Sequence, residues 1–163
     1  MAAHSCLSLI CNILLKRFQV LKAEKRENGI PLVVDDTATC LRQGNGLDTP
    51  GLFRISADTN AVGVLADLYN ENVKVVLSVD DPHMCANLFK KFFRDLRDPL
   101  LTFELYTCFI AQFDSKNKLD EDSYVEQFQA LVRQLPKENQ IVLKFLLDFL
   151  AEVAEHSSEY VAH

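Results

Sequence analysis

The stretch Asp81–Leu96, "DPHMCANLFKKFFRDL", has the pattern that decides the fold. Asp81 is a suitable N-cap and Pro82 fits the first helical turn, so a helix is predicted to begin here. Apolar residues then recur at intervals of three and four, which places them on one side of the helix. The pattern stops before Pro99. The predicted buried side of this helix consists of Cys85, Leu88, Phe89, Phe92 and Leu96.

The segments before this helix are also helical in pattern. Pro31 is predicted as the first residue of a helix that continues to Gly44, although Val33 and Val34 would also suit a strand. Asp58 is predicted to cap a second helix. The apolar stripe of that helix consists of Val62, Leu65, Ala66 and Tyr69.

Three further helices are predicted after the central one. Thr102 is predicted to cap a short helix. Its inward residues are expected to be Tyr106, Phe109, Ile110 and Phe113. The next stripe consists of Tyr124, Phe128, Leu131 and Leu135. Pro136 starts the last long helix, whose apolar side consists of Val142, Leu146, Phe149, Leu150 and Val153, widened by Leu143 and Leu147.

The composition fits one helical domain with a core of its own. The chain has 163 residues, of which 48% are apolar and 25% are charged, so it is long enough to bury a core. Val73–Val79 is strand-like, but a lone strand has no pairing partner, so we predict an extended connection. We therefore predict an all-α fold, a single-domain helical bundle.

Charge and cysteine content restrict the partners and the cell compartment. A net charge of −6 argues against a nucleic-acid partner, because phosphate binding needs a basic surface. The five cysteines are scattered and odd in number, which indicates neither a disulfide framework nor a zinc ribbon. We expect a reducing, cytoplasmic location.

Residues 1–17 are interpreted as an N-terminal amphipathic helix. Leu7, Ile10, Leu14 and Phe18 recur at helical spacing. Basic residues follow this apolar run instead of preceding it, unlike in a signal peptide. About ten apolar residues are also too few to cross a bilayer, so no integral membrane segment is predicted.

The central helix carries a basic strip. Lys90 and Arg94 are four residues apart and share a face, next to Asn87. Lys91 and Asp95 have the same spacing and form a compensating ion pair. From the spacing alone, a solvated basic surface is the simpler interpretation.

The chain lacks the motifs of a self-sufficient enzyme. It contains no phosphate-binding glycine loop, no nucleophile elbow and no zinc-protease helix motif. His83 and Cys85 are two apart on a predicted helix and point in different directions, so they do not make a metal site. We predict neither a metal nor a cofactor.

Two ordered blocks closely resemble the signature blocks of RhoGAP domains, the all-helical activators of Rho-family small GTPases. The first block, "GLDTPGLFRIS", supplies Gly51, Phe53, Arg54 and Ser56. The second, "HMCANLFKKFFRDLRDPLL", supplies His83, Ala86, Lys90, Arg94, Leu96, Pro99 and Leu100. "NGIPLVV" before them and "LPKENQIVLKFLLDFLAEV" after them are also similar. The resemblance implies a RhoGAP-type domain over residues 18–163.

The resemblance implies roles for four residues. Arg54 would be the arginine finger that is inserted into a GTPase of the Rho, Rac or Cdc42 type. Phe53 would be its buried anchor, Arg94 would steady the finger loop, and Lys90 would contact the GTPase surface. The chain would then be a GTPase-activating protein and not an enzyme by itself, since GTP and Mg²⁺ belong to the partner. Recruitment to a membrane or the cytoskeleton by other domains stays open.

The chain also departs from the family pattern. Ala57 stands where the family usually has glycine, so a positive φ there would strain the loop. Arg97 replaces a proline. The family continues into an asparagine-containing motif and further helices beyond the pattern found here, which predicts a weakened activator with an uncovered apolar face that favours self-association. The alternative is a non-catalytic module that binds a GTPase or itself.

Overall fold

The computed structural model describes residues 24–114 and 120–159, with side chains as far as His156, and contains six helices within that part. They are α1 (Leu32–Arg42), α2 (Thr59–Asn70), α3 (Pro82–Arg94), α4 (Tyr106–Asp114), α5 (Glu121–Val132) and α6 (Lys137–Glu159). The helix predicted over residues 1–17 lies outside the described residues. Among the described residues, β pairing is limited to an isolated bridge between Lys25 and Pro31. The predicted all-α fold is confirmed, and Val73–Val79 forms no strand.

The core is built on the contact between α1 and α3, with α2 packed against both. All five residues predicted for the inner side of α3 are buried. On α1, Val34, Ala38 and Leu41 are fully buried, so the helical interpretation of this segment is confirmed over the strand alternative. Burial of a full-length apolar side on both helices makes this contact the main source of hydrophobic stabilisation.

Aspartate caps fix the starts of three helices, as expected from short acceptor side chains at helix N-termini. The Asp58 carboxylate accepts two backbone N–H groups of the first turn of α2. Asp81 accepts the backbone N–H of Met84 at 2.9 Å, which begins α3 where the sequence predicts it. Asp120 caps α5, and the hydrogen bond from the backbone N–H that it accepts lowers the pKa of its carboxyl.

Helix α4 corrects one prediction. Phe109 is buried as expected, but Tyr106, Ile110 and Phe113 are 61%, 46% and 66% exposed, so their predicted inward direction is wrong. The reason is geometric: α4 packs mainly against α5, and one neighbour covers a narrower arc than the apolar residues occupy. Thr102 accepts a backbone N–H in the turn before α4, and the helix itself begins at Tyr106.

Helix α6 follows Pro136 directly and closes the core with most of its predicted apolar side. Val142, Leu143 and Phe149 are buried, and Leu146 and Val153 pack partly buried against the core. Leu147 and Leu150 are 56% and 42% exposed, so the prediction is wrong at these two positions. No helix of the described part is long and apolar enough to cross a membrane.

Candidate functional site

The loop between α1 and α2 presents Arg54 on a tight turn. We call residues 47–58 the Arg54 loop. The backbone N–H groups of Arg54 and Ile55 both donate to the carbonyl of Gly51 at 2.9 Å. Gly51 has a φ of +72° and Phe53 a φ of +63°, so two residues just before Arg54 are left-handed. For a bulky residue this conformation costs about 1 to 3 kcal/mol and persists only where surrounding contacts enforce it.

The side chain of Phe53 supplies one of these contacts. Its ring packs edge to face against Phe89 of α3 and Phe149 of α6, with centroids 5.9 Å and 6.3 Å away. Both partners are buried, and edge-to-face pairs at this distance are favourable. The half-buried ring therefore ties the loop to the core between two helices.

Polar side chains of α3 hold the loop backbone on both sides of Arg54. The Lys90 ammonium donates to the carbonyl of Phe53 at 2.6 Å. The Asn87 amide donates to the carbonyl of Ile55 at 2.9 Å and to that of His83 within its own helix at 2.8 Å. The carbonyls of the residues before and after Arg54 are thus both bound from one helix, which fixes the direction of the arginine.

Arg94 lies one turn further along α3 but turns to another partner. Its side chain is 70% exposed, and its Nε lies 3.2 Å from Asp95 Oδ1. Asp95 also accepts from Lys91 at 2.6 Å, which confirms that predicted pair. Burial acts to raise the pKa of Asp95, but the hydrogen bonds from Lys91 and Arg94 outweigh it and lower the pKa. The resemblance assigned loop support to Arg94, whereas the observed hydrogen bonds come from Lys90 and Asn87.

Arg54 itself is exposed, and its guanidinium lies back over the turn. A Cβ at Gly51 would be 3.0 Å from Arg54 Nη2 and 2.9 Å from Ile55 Cδ1, so a larger residue there would displace these two side chains. Among the side chains described in residues 24–114 and 120–156, no carboxylate pairs with Arg54. Its positive charge is therefore not neutralised by any of these carboxylates.

Ala57 does not strain the loop. Its φ is not positive, and its side chain packs against the core. Ala57 therefore lacks the left-handed conformation that would strain it. In this loop that conformation occurs at Gly51 and Phe53.

The segment around Cys85 has structural roles. Asp81 caps α3. Cys85 is buried in the core beside Cys40, with the two sulfurs 2.7 Å apart. Burial raises the pKa of the Cys85 thiol, with a further contribution from Cys40. In the part of the chain that the structure describes, no cluster of three or more His, Cys, Asp or Glu side chains could hold a metal ion.

The remaining contacts of the site were not predicted from the sequence. The spacing placed Asn87 beside Lys90 on α3, but it did not indicate that Asn87 binds the loop. Phe149 was predicted to be buried but not to contact the loop, because nothing in its local sequence indicates a partner that distant.

Comparison with known proteins identifies the family. The family model described as the RhoGAP domain matches residues 31–161. The chain belongs to the RhoGAP family.

Two curated relatives and one solved structure are similar to this RhoGAP domain. Rho GTPase-activating protein 1 of Mus musculus is 35% identical over 134 residues, which cover 82% of this chain and 29% of the relative. Rho GTPase-activating protein gacJJ of Dictyostelium discoideum is 36% identical over 138 residues, which cover 84% of this chain and 15% of the relative. The crystal structure of human Rho GTPase-activating protein 15 superposes with a TM-score of 0.71 at 26% identity, over 78% of this chain and 60% of that chain.

These figures confirm the resemblance noted in the sequence and the RhoGAP type of the all-α fold. The chain spans less than a third of the length of the two curated relatives that it matches. It therefore corresponds to one part of each of those proteins.

Proposed function

We propose that this RhoGAP domain stimulates GTP hydrolysis by a Rho-family small GTPase, and that Arg54 enters the partner's active site as an arginine finger. The observation that carries the proposal is an exposed arginine without a carboxylate partner in the described part of the chain, on a loop whose two flanking carbonyls are bound from α3. The names of its relatives, Rho GTPase-activating proteins, support the same activity.

The proposed mechanism follows from the charge that develops during hydrolysis. Negative charge builds on the phosphate oxygens in the transition state, and GTP with its Mg²⁺ belongs to the GTPase. The planar guanidinium of Arg54 can donate to two oxygens together, which an ammonium cannot do in the same way. A finger of this kind raises the rate by about 10³ to 10⁵, or about 4 to 7 kcal/mol of barrier.

The preformed loop adds to this effect. The ring of Phe53 and the hydrogen bonds from Lys90 and Asn87 fix the loop before the partner arrives. Less ordering of the loop is then needed when the complex forms, because the backbone that carries Arg54 is already held in place. Lys90 has three N–H donors, so after binding Phe53 it still has two for the GTPase surface. Arg94, exposed one turn away, is proposed to contact the same surface.

Single-turnover GTP hydrolysis on GTPases of the Rho, Rac and Cdc42 types tests the proposal. The parent domain should accelerate hydrolysis, and Arg54→Ala should lose about 10³-fold or more of that acceleration while still binding. Arg54→Lys should recover little, since it lacks the fork. Arg133→Ala, which removes an exposed arginine directly after α5, is the matched control and should behave like the parent.

Two results would contradict the proposal in different ways. If Arg54→Ala is as active as the parent, another residue supplies the charge. If parent and variant both bind the GTPase and neither accelerates hydrolysis, the domain is the non-catalytic binding module that the sequence left open.

A further inference from the structure

Arg42, the last residue of α1, makes a composite contact with α6. Its Nε and Nη2 lie 2.9 Å and 2.8 Å from Oε2 of Glu152. Its guanidinium also lies 5.7 Å and 5.1 Å from the ring centroids of Phe145 and Phe149. These three residues of α6 are four and then three positions apart, so they form one side of the helix. A guanidinium both over a ring and paired with a carboxylate has little freedom to move.

Phe149 connects this contact to the Arg54 loop. Its ring is fully buried and packs against the ring of Phe53, 6.3 Å between centroids. Phe145 and the Arg42 guanidinium also lie against this ring. Arg42 thus contacts the ring that packs against Phe53, the residue directly before Arg54.

A second contact joins α6 to the start of the same loop. His156, one turn after Glu152 on α6, has its Nδ1 2.7 Å from Oδ1 of Asp48. Helix α6 is therefore attached to the end of α1 and to the first residues of the loop, with Phe149 placed against Phe53. The position of α6 and the conformation of the loop are coupled through these contacts.

We propose that Arg42 is a positioning residue for Arg54: it holds Phe149 against Phe53 and so keeps the loop in its left-handed conformation. The inference rests on the proposed function, since positioning matters only if Arg54 acts on a GTPase. Arg42 touches no reacting atom in this scheme. Its effect reaches the finger through two aromatic rings.

The first measurement compares Arg42→Gln with Lys144→Gln. Lys144 pairs with Asp148 on the exposed side of α6, so its variant removes the same charge from an ion pair of that helix without touching Phe149. Arg42→Gln should lower the saturating rate of GTP hydrolysis about three- to tenfold and change the half-saturating concentration less than about twofold. Lys144→Gln should leave both unchanged.

The second measurement needs no GTPase. Trypsin cleaves after arginine, and cleavage after Arg54 under native conditions reports how often the loop opens. Arg42→Gln should raise the rate of that cut, identified by fragment mass, about threefold or more over Lys144→Gln. Arg54→Ala, which removes the cleavage site, identifies the fragment.

The two measurements separate this inference from the proposed function. Equal cleavage and an equal saturating rate in Arg42→Gln and Lys144→Gln would overturn the positioning role. A parent domain that fails to stimulate any GTPase would overturn the proposed function, and the cleavage rates would still decide whether Arg42 holds the loop. If Arg42→Gln does not fold, Glu152→Gln removes the same ion pair while leaving the cation over the rings. It should shift both readouts in the same direction by less, and parent-like values would overturn the inference.

Discussion

At the scale of single residues, Gly51 is the position where the Arg54 loop tolerates the least change. It combines a φ of +72° with neighbours that a Cβ would approach to 2.9 Å and 3.0 Å. We predict that Gly51→Ala lowers the free energy of unfolding by about 1 to 3 kcal/mol, because the loop must either strain or move. The stimulated rate should fall as well, since Arg54 moves with the loop. Urea unfolding and single-turnover hydrolysis measure the two effects.

Gly63 provides the matched control for that substitution. It lies within α2, and a Cβ there would meet nothing within 4 Å. Gly63→Ala should stabilise the domain by up to about 1 kcal/mol through helix propensity, with hydrolysis unchanged. Equal stability of Gly51→Ala and the parent would show that the left-handed turn is not required.

Asp95 makes part of the stability pH-dependent. Burial would raise its pKa, yet hydrogen bonds from Lys91 and Arg94 lower it below its usual value. A carboxyl with a lowered folded pKa contributes stability above its unfolded pKa of about 3.9 and loses it as the pH falls through the folded value. The difference in unfolding free energy between parent and Asp95→Asn should therefore be largest above about pH 5 and shrink toward pH 2. A difference that is constant in urea unfolding across this range would contradict the assignment.

Single residues also show what sequence can and cannot predict about the site. Arg54 and Phe53 stand in a recognisable block, and Lys90 in another, so their identity as candidates needs no coordinates. The acceptor that Lys90 binds could not be foreseen, because the carbonyl of Phe53 takes its direction from a left-handed conformation that phenylalanine rarely adopts. The pair of Arg42 and Glu152 joins two helices whose mutual position no local pattern specifies.

At the scale of elements, α3 depends on its N-terminal cap. Asp81 accepts the backbone N–H of Met84, and this helix carries the two side chains that bind the carbonyls on either side of Arg54. We predict that Asp81→Ala costs about 1 kcal/mol in unfolding free energy. Asp80→Ala, one residue earlier and outside the cap, should stay within about 0.5 kcal/mol of the parent. Chemical denaturation of the two variants decides, and equal losses would contradict the capping role.

The contrast between α3 and α4 explains which elements were predictable. Helix α3 begins at a capping residue and has basic residues in its last turn. Its apolar side packs against α1 and α2, as the spacing of the apolar residues indicates. In α4 the apolar residues surround more of the helix than one neighbour covers, so periodicity locates the helix but not its buried side. Burial depends on the number of packing partners, and a local pattern does not contain that number.

At the scale of the whole molecule, the exposed side of α4 predicts self-association. Tyr106, Ile110 and Phe113 are spaced to form one continuous apolar stripe. Sedimentation velocity should show a concentration-dependent increase in mass that Phe113→Ser weakens. Val76→Ser, which removes an exposed apolar residue from the α2–α3 connection, is the control and should not weaken it. A single monomeric species at every concentration would contradict the expectation.

The fold as a whole was predictable because the sequence contains the two RhoGAP signature blocks in the expected order. Each block alone is a short pattern, but their order and separation leave few alternatives, and the family match over residues 31–161 agrees. The mutual arrangement of helices was not predictable in the same way, because it follows from contacts such as that of Phe53 with Phe149.

The placement of Phe53 between α3 and α6 sets an order on folding. Its ring finds both walls only after helices far apart in the chain have packed, and non-local contacts form late because the intervening chain must first be closed into a loop. A nascent or partly folded molecule can hold α1 and α3 together and still lack the support behind Arg54. The proposed activity would then be withheld until α6 is in place, so that the packing of α6 and competence toward a partner coincide.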